Sequence, residues 1–270
     1  MSSDVTATLR YLKPTVGKPV YYASRAGVDD SHDIGIEFDE RAVRIRNART
    51  LQPSPSLDRE AFTLISHDTV VTDFYTLDTQ LDYYEAELRE QVLAQTGATE
   101  ALVFDHTLRS DSSDIRGTRA TREPAGFVHN DYTDSSARKR LLELLPQQQL
   151  PETGLLRYAI INVWRSIRGT VWNSPIACCD AASLATGNLV AAERRAHDRI
   201  GELEFATWNP GHRWYYYPEM SEREALLIKT FDSRKDGATR AIHTAFANPL
   251  AAVDAAPRES IESRLLVLYT

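Results

Sequence analysis

Phe127-Val128-His129-Asn130-Asp131-Tyr132-Thr133 sets a histidine and an aspartate two residues apart at the polar end of an apolar run. If the run is a strand, side chains at i and i+2 point to one face, so an imidazole and a carboxylate converge on a single point. A second imidazole would complete the 2-His-1-carboxylate set that holds non-haem iron and leaves coordination positions open. Taken alone, such a triplet is more often a pair of surface polar residues. Its weight depends on the residues further along the chain.

The seven histidines are His32, His67, His106, His129, His197, His212 and His243. A third ligand must come from a strand able to lie beside that of His129 and Asp131. His243 sits in an extended run, Arg240-Ala-Ile-His243-Thr-Ala-Phe246, and is favoured. His212 competes, but Pro210-Gly211-His212-Arg213 reads as a turn feeding Trp214–Tyr217, a setting that suits packing or substrate contact. Further on, Arg258, Ser260, Glu262 and Arg264 alternate onto one face. A guanidinium with a hydroxyl two residues away forms a fork for a carboxylate, because Arg pairs bidentately with both oxygens. On these residues alone, a surface ladder with Glu259 and Glu262 is the stronger reading.

The elements that must carry these groups are mostly strands. Thr6–Tyr11, Val20–Ala23, Arg44–Arg46, Phe62–Ile65, Ala101–Phe104, Ala159–Trp164, Ile176–Cys179, Trp214–Tyr217, Leu226–Phe231, Ile242–Phe246 and Leu265–Tyr269 are short apolar runs bounded by turn residues. Many short strands without β-α-β alternation predict a sandwich, barrel or jelly roll. Leu77–Gln95 is the clearest helix, with Leu81, Tyr84, Leu88 and Val92 in one stripe, Asp78 as N-cap and Gly97 at C′. A second helix is predicted from Asp134 to Leu145, stopped by Pro146. Ser221 and Glu224 form an S-x-x-E capping pattern that predicts a helical turn before Leu226.

With 42% hydrophobic and 26% charged residues over 270 positions, the chain can bury a sizeable core. A net charge of −7 argues against a nucleic-acid partner. Arg138-Lys139-Arg140 and Arg194-Arg195 read as solvated helix faces. No run of 18 apolar residues predicts a membrane span, and Met1-Ser-Ser-Asp lacks the features of a secretory leader. The two cysteines, Cys178 and Cys179, are adjacent. On a strand they point to opposite faces and do not bridge, so a cytoplasmic setting is expected.

In order, H-x-D, a long β-rich interval, a histidine and R-x-S before a last strand resemble the iron(II)/2-oxoglutarate-dependent oxygenases. The blocks Val103–Arg109, Val128–Thr133, Asn162–Ile167, His212–Tyr216, Lys229–Ser233, His243–Phe246 and Arg258–Arg264 are similar to those of the AsaB/CmcJ-like hydroxylase/desaturase family of secondary metabolism. The resemblance implies a mainly β fold with flanking helices, a double-stranded β-helix (jelly roll, cupin-like). It implies one oxygenase domain over residues 1–270, with N-terminal strands and a backing helix to residue 100 and the metal-bearing core from 101. By the same resemblance His129, Asp131 and His243 hold Fe(II), and Arg258 with Ser260 anchors the distal carboxylate of 2-oxoglutarate, with Arg264 as the alternative anchor. Asn162 becomes a possible donor to 2-oxoglutarate. His106, Arg109, Arg165, His212 and Arg213 become candidate substrate contacts, packing being the stronger reading for His106, Arg109, His212 and Arg213. The implied reaction consumes O2 and 2-oxoglutarate, releases succinate and CO2, and oxidises an unactivated C–H of a small molecule by hydroxylation, desaturation or oxidative cyclisation. The alternatives are an iron-dependent oxidase that needs no 2-oxoglutarate and a non-catalytic jelly-roll binding protein.

Overall fold

The computed structural model describes residues 3–23, 32–34, 36–147, 150, 152–196 and 200–270. His197 lies outside them, and of His32 only the backbone is described. These residues form strands β1 (Val5–Leu12), β2 (Val20–Tyr22), β3 (His32–Ile34), β4 (Phe38–Asn47), β5 (Phe62–Ser66), β6 (Glu100–Ser110), β7 (His129–Asn130), β8 (Arg157–Ser166), β9 (Ile176–Cys179), β10 (Leu189–Arg195), β11 (Ile200–Ala206), β12 (Trp214–Tyr216), β13 (Glu224–Asp232), β14 (His243–Ala245) and β15 (Glu259–Tyr269). The helices are α1 (Leu81–Thr96), α2 (Ser113–Arg119) and α3 (Asp134–Gln147).

Ten strands make a major sheet in the order β1-β4-β12-β9-β14-β7-β11-β10-β2-β3, and five make a minor sheet in the order β5-β13-β8-β15-β6. The jelly-roll expectation is met. Cys178 and Tyr215 of the major sheet pack on Trp164, Leu226 and Ile228 of the minor one, so the core lies between the two. The major sheet curls until β1 returns beside β7: Val128 N donates to Arg10 O at 2.9 Å, and Leu12 bridges Thr207.

Alternation on β8 and β15 decides what faces the interior. Ala159, Ile161, Val163, Leu265 and Val267 pack outward on Tyr84, Leu88 and Val92 of α1. Burying Leu88 and Val92 there stabilises the fold by about 1.5–3 kcal/mol each. With that parity fixed, Asn162, Trp164, Ser260, Glu262 and Arg264 must point between the sheets. α3 closes one end, with Leu141, Leu144 and Leu145 on Ile160, Leu266 and Leu268.

Several local expectations are corrected. α1 begins at Leu81 rather than Leu77, and its N-cap position is Gln80 rather than Asp78, with no side-chain cap; Asp73 caps the preceding 3-10 segment, Phe74–Thr79, by accepting from Tyr75 N at 2.9 Å. Gly97 ends α1 at φ 65°, a left-handed position that suits glycine. Pro146 lies inside the last turn of α3, which ends one residue later. Ser221 N donates to Glu224 Oε2 at 2.9 Å, but the segment is a turn without a helix. Arg194 and Arg195 lie on β10 rather than on a helix. The β10–β11 hairpin was not legible, because Ala-, Glu- and Arg-rich LVAAERR has weak strand preference. Its pairing across seven residues is a tertiary effect.

Two buried histidines outside the His129–Asp131–His243 set make the fold acid-sensitive. Burial, and then Arg165, pushes His67 down to about 4; burial does the same to His212, which stacks on Tyr11. The folded chain keeps both neutral, while the unfolded chain takes up protons below about pH 6.5. Stability is therefore full above that pH and falls as the pH drops toward about 4. The urea midpoint of metal-free protein is expected to fall across this window, less steeply in His67→Gln. Equal slopes in the two proteins would remove His67 from the explanation.

Candidate metal centre

β7 is two residues long and lies between β14 and β11. His129 is directly opposite His243 on β14 and Phe205 on β11. Opposed residues on antiparallel strands share a face, and the two imidazole centroids are 4.5 Å apart. Asp131 comes just past the strand, with Oδ1 3.6 Å from His129 Nε2. One donor atom from each of His129, Asp131 and His243 lies within 4.8 Å of the other two. Among the described residues this is the one such three-residue cluster. His212 is elsewhere, hydrogen-bonded to Tyr11 and Asn188.

Each ligand candidate is held by its non-facing atom. His129 Nδ1 is 2.9 Å from Phe127 O, and His243 Nδ1 is 3.2 Å from Ala241 O. A carbonyl can only accept, so both Nδ1 atoms carry a proton and Nε2 is the atom each ring turns to a metal. Burial, with His129 beside it, pushes His243 down to about 4, so it is neutral near pH 7. Asp131 Oδ2 accepts from Asn162 Nδ2 at 2.7 Å and from Arg264 Nε at 3.0 Å. Burial alone would raise the Asp131 pKa, but Arg264, His129 and His243 together hold it well below the usual carboxylate range. Two imidazoles that each offer Nε2 and one ionised carboxylate are a fitting donor set for Fe(II).

Arg264 sits in a row across the minor sheet, opposite Asp105 on β6 and Asn162 on β8. It pairs with Asp131, Asp105 and Glu262, which keeps its guanidinium charged despite burial. This occupancy leaves Arg264 as a clamp on Asp131 rather than a free anchor. Asn162 likewise commits its amide to Asp131, with Thr230 Oγ1 on its carbonyl at 3.4 Å. The sequence offered Glu262 as an ion-pair partner of these arginines in a surface ladder; it does pair with Arg264, but in the interior. Asp105, remote from Arg264 in the chain, left no local signal.

Arg258 is different. Its Nη1 donates to Ser174 O, while among the described residues its buried Nε and Nη2 meet no partner, nor do Ser260 Oγ and Trp164 Nε1. Ser174 adopts a left-handed φ of 48°, a conformation that costs of order 1 kcal/mol for a residue with a Cβ, and its carbonyl meets Arg258. The guanidinium lies 5.2 Å from the Trp164 ring. Burial, then Arg109, pushes Arg258 down to about 9. A buried cation with open donors is costly unless an anion completes it. These donors suit the distal carboxylate of 2-oxoglutarate.

The remaining candidates separate by position. A cavity of about 840 Å³ reaches His129 and Asp131 and is lined also by Arg109, Tyr132 and Arg264. His106 lines it too, but its ring bonds Ser263 and Glu85 on the α1 side of β6. Arg165 is buried against His67 and Glu222 O, and Arg213 pairs with Asp180; neither lines the cavity.

Asn162→Ala removes one donor to Asp131 without stranding a charge. It is expected to weaken metal binding by about 10–100-fold with the fold retained, read by competition with a colorimetric chelator. Arg264→Met is expected to cost about 3–5 kcal/mol of stability, because it leaves buried carboxylates unpaired. Wild-type metal affinity in Asn162→Ala would show that the clamp is idle.

Residues 9–268 match the family described as an oxidoreductase/YMDC permease-like domain, to which the chain therefore belongs. Among the described residues no helix is long and apolar enough to cross a membrane. The chain is 34% identical over 257 residues to the hydroxylase/desaturase CTB9 of Cercospora beticola, covering 86% of this chain and 78% of that protein. It is 29% identical over 292 residues to the hydroxylase/desaturase efuI of Hormonema carpetanum, covering 99% and 96%. The fold is similar to that of the iron and alpha-ketoglutarate-dependent endoperoxidase NvfI, with a TM-score of 0.83, 23% identity and coverage of 100% and 99%. With hydroxylase/desaturases and alpha-ketoglutarate-dependent dioxygenases as its sequence relatives along most of its length and the same fold beneath them, the chain belongs to the hydroxylase/desaturase family of iron(II)/2-oxoglutarate-dependent oxygenases.

Proposed function

We propose that this protein is an oxygenase in which His129, Asp131 and His243 hold Fe(II) and Arg258 with Ser260 anchors 2-oxoglutarate. It oxidises an unactivated C–H of a small secondary-metabolite substrate by hydroxylation, desaturation or oxidative cyclisation. The observation that carries this reading is the set of buried donors on Arg258 and Ser260 that meet no hydrogen-bond partner among the described residues, on the inward-facing side that also carries Arg264, the clamp on Asp131. Such donors ask for an anion, and the distal carboxylate of 2-oxoglutarate supplies one.

When bound, iron and 2-oxoglutarate supply the oxidising power, coupling O2 reduction to release of succinate and CO2. The chain's own residues position and insulate. The carbonyls of Phe127 and Ala241 fix both histidine tautomers. Arg264 and Asn162 keep Asp131 ionised and turn Oδ1 toward His129. Trp164, fully buried beside Arg258, keeps the anchor dry, and a charge pair is stronger where water is excluded. Substrate reaches the metal-facing edge through the cavity that touches His129 and Asp131.

We read residues 1–270 as one jelly-roll domain, supported by the pairing of N-terminal β4 with β12 in the major sheet. A cytoplasmic enzyme without nucleic-acid partners agrees with two unbridged cysteines and a net charge of −7.

Anaerobic addition of Fe(II) and then 2-oxoglutarate to metal-free protein is expected to produce a weak visible charge-transfer band, lost in His243→Ala. His129→Ala and Asp131→Ala are expected to abolish 2-oxoglutarate turnover with the fold intact. Arg258→Met is expected to raise the KM for 2-oxoglutarate on the order of 100-fold. Iron binding without a band would favour the oxidase, and an unchanged KM in Arg258→Met would place the anchor elsewhere.

A further inference from the structure

Arg109 and Arg122 are bridge partners: the chain after α2 runs parallel to the edge strand β6, with Arg122 N on Leu108 O at 3.0 Å and Ser110 N on Arg122 O at 2.9 Å. Bridge partners project to the same face, and Arg109 is itself opposite Ser260 on β15. Two guanidinium groups therefore stand side by side on the interior face, both lining the cavity that reaches the metal cluster. Among the described residues Arg109 donates only to a backbone carbonyl, Glu123 O at 2.7 Å. Arg122 is half-buried, and among the described residues its guanidinium meets no hydrogen-bond or ion-pair partner. Burial and the charge of Arg109 lower its pKa, and Asp105 opposes them. Asp105 is already engaged by Arg264. Neighbouring like charges in a part-desolvated wall are unfavourable until an anion lies between them.

Part of the cavity wall is aromatic. Phe38 and Phe127 stack at 5.7 Å, and Tyr21 meets Phe127 edge-on at 5.3 Å. All three line the same cavity as His129. A flat apolar body fits that wall. Two adjacent guanidinium groups can share the two oxygens of one carboxylate, so a carboxylate is the matching head group.

We propose that the substrate is an apolar, ring-bearing carboxylic acid, its carboxylate held by Arg122 with Arg109 and its body laid on Phe38 and Phe127. The proposal deepens the oxygenase reading and rests on it for the identity of the cavity as the substrate site.

The test is calorimetric titration of anaerobic protein, loaded with Fe(II) and saturating 2-oxoglutarate, using 2-naphthoate and, separately, methyl 2-naphthoate. Saturating 2-oxoglutarate keeps the probe off Arg258. The acid is expected to bind at least about ten-fold tighter than the ester, the worth of one charge-assisted hydrogen bond. Arg122→Met is expected to bring the ratio close to one with 2-oxoglutarate affinity unchanged. Arg109→Met supplies the same comparison where Arg122→Met does not fold. No saturable binding of the acid, a wild-type preference for the ester, or a ratio unmoved by both variants would overturn the proposal. So would loss of 2-oxoglutarate affinity in Arg122→Met, which would assign the pair to the co-substrate. The two readings fail separately: calorimetry needs no chromophore, so a missing charge-transfer band with a retained acid preference counts against the oxygenase alone.

Discussion

The Asp131 carboxylate spans the gap between the two sheets. It leaves the major sheet one residue after β7 and is received by Arg264 and Asn162 of the minor sheet. A carboxylate this enclosed must be paired, since removing a bare charge from water costs several kcal/mol. The minor sheet answers with a cross-strand row, Asp105, Arg264 and Asn162, on three adjacent strands. The inward parity of β8 and β15, the tilt of Asp131 toward His129 and the low basicity of that carboxylate are all bound up with this contact.

The outer face of the major sheet holds β7 from behind. Asn130, fully buried, donates to Tyr132 O at 2.7 Å and Glu204 Oε2 at 2.8 Å. Arg240 in turn grips Glu204 and Asp134 at the start of α3. Alternate residues of a short strand are thus tied on opposite sides, His129 and Asp131 to the interior and Asn130 to the exterior. A two-residue strand has little ladder of its own, and these side-chain bonds replace it.

Three arginines near the centre show how environment separates residues of one type. Arg264 is saturated by carboxylates and acts as a strut. Arg258 is buried with open donors against Trp164. Arg122 lies at the cavity wall beside a like charge. The alternation of β15 put Arg258 and Arg264 on one face in the sequence, but their different surroundings come from Asp105 and Asp131, which lie far away in the chain.

Local physics was enough for much of this protein. Period-two spacing placed His129 with Asp131, and Arg258 with Ser260, Glu262 and Arg264; period 3.6 placed Tyr84, Leu88 and Val92 on the sheet-facing side of α1. Those patterns are legible because each depends on backbone geometry over a few residues. The opposition of His129 and His243 is a register between strands more than a hundred residues apart, chosen by the packing of whole sheets, and no short window contains it. The same is true of Asn162, which sequence spacing offered to a ligand and the fold gave to Asp131. It holds also for the β10–β11 hairpin, where pairing overrode the weak strand preference of Ala, Glu and Arg. Sequence determined which groups share a face; only the tertiary structure decided what each face would meet, because burial leaves every charge to be matched by whatever the opposite strand presents.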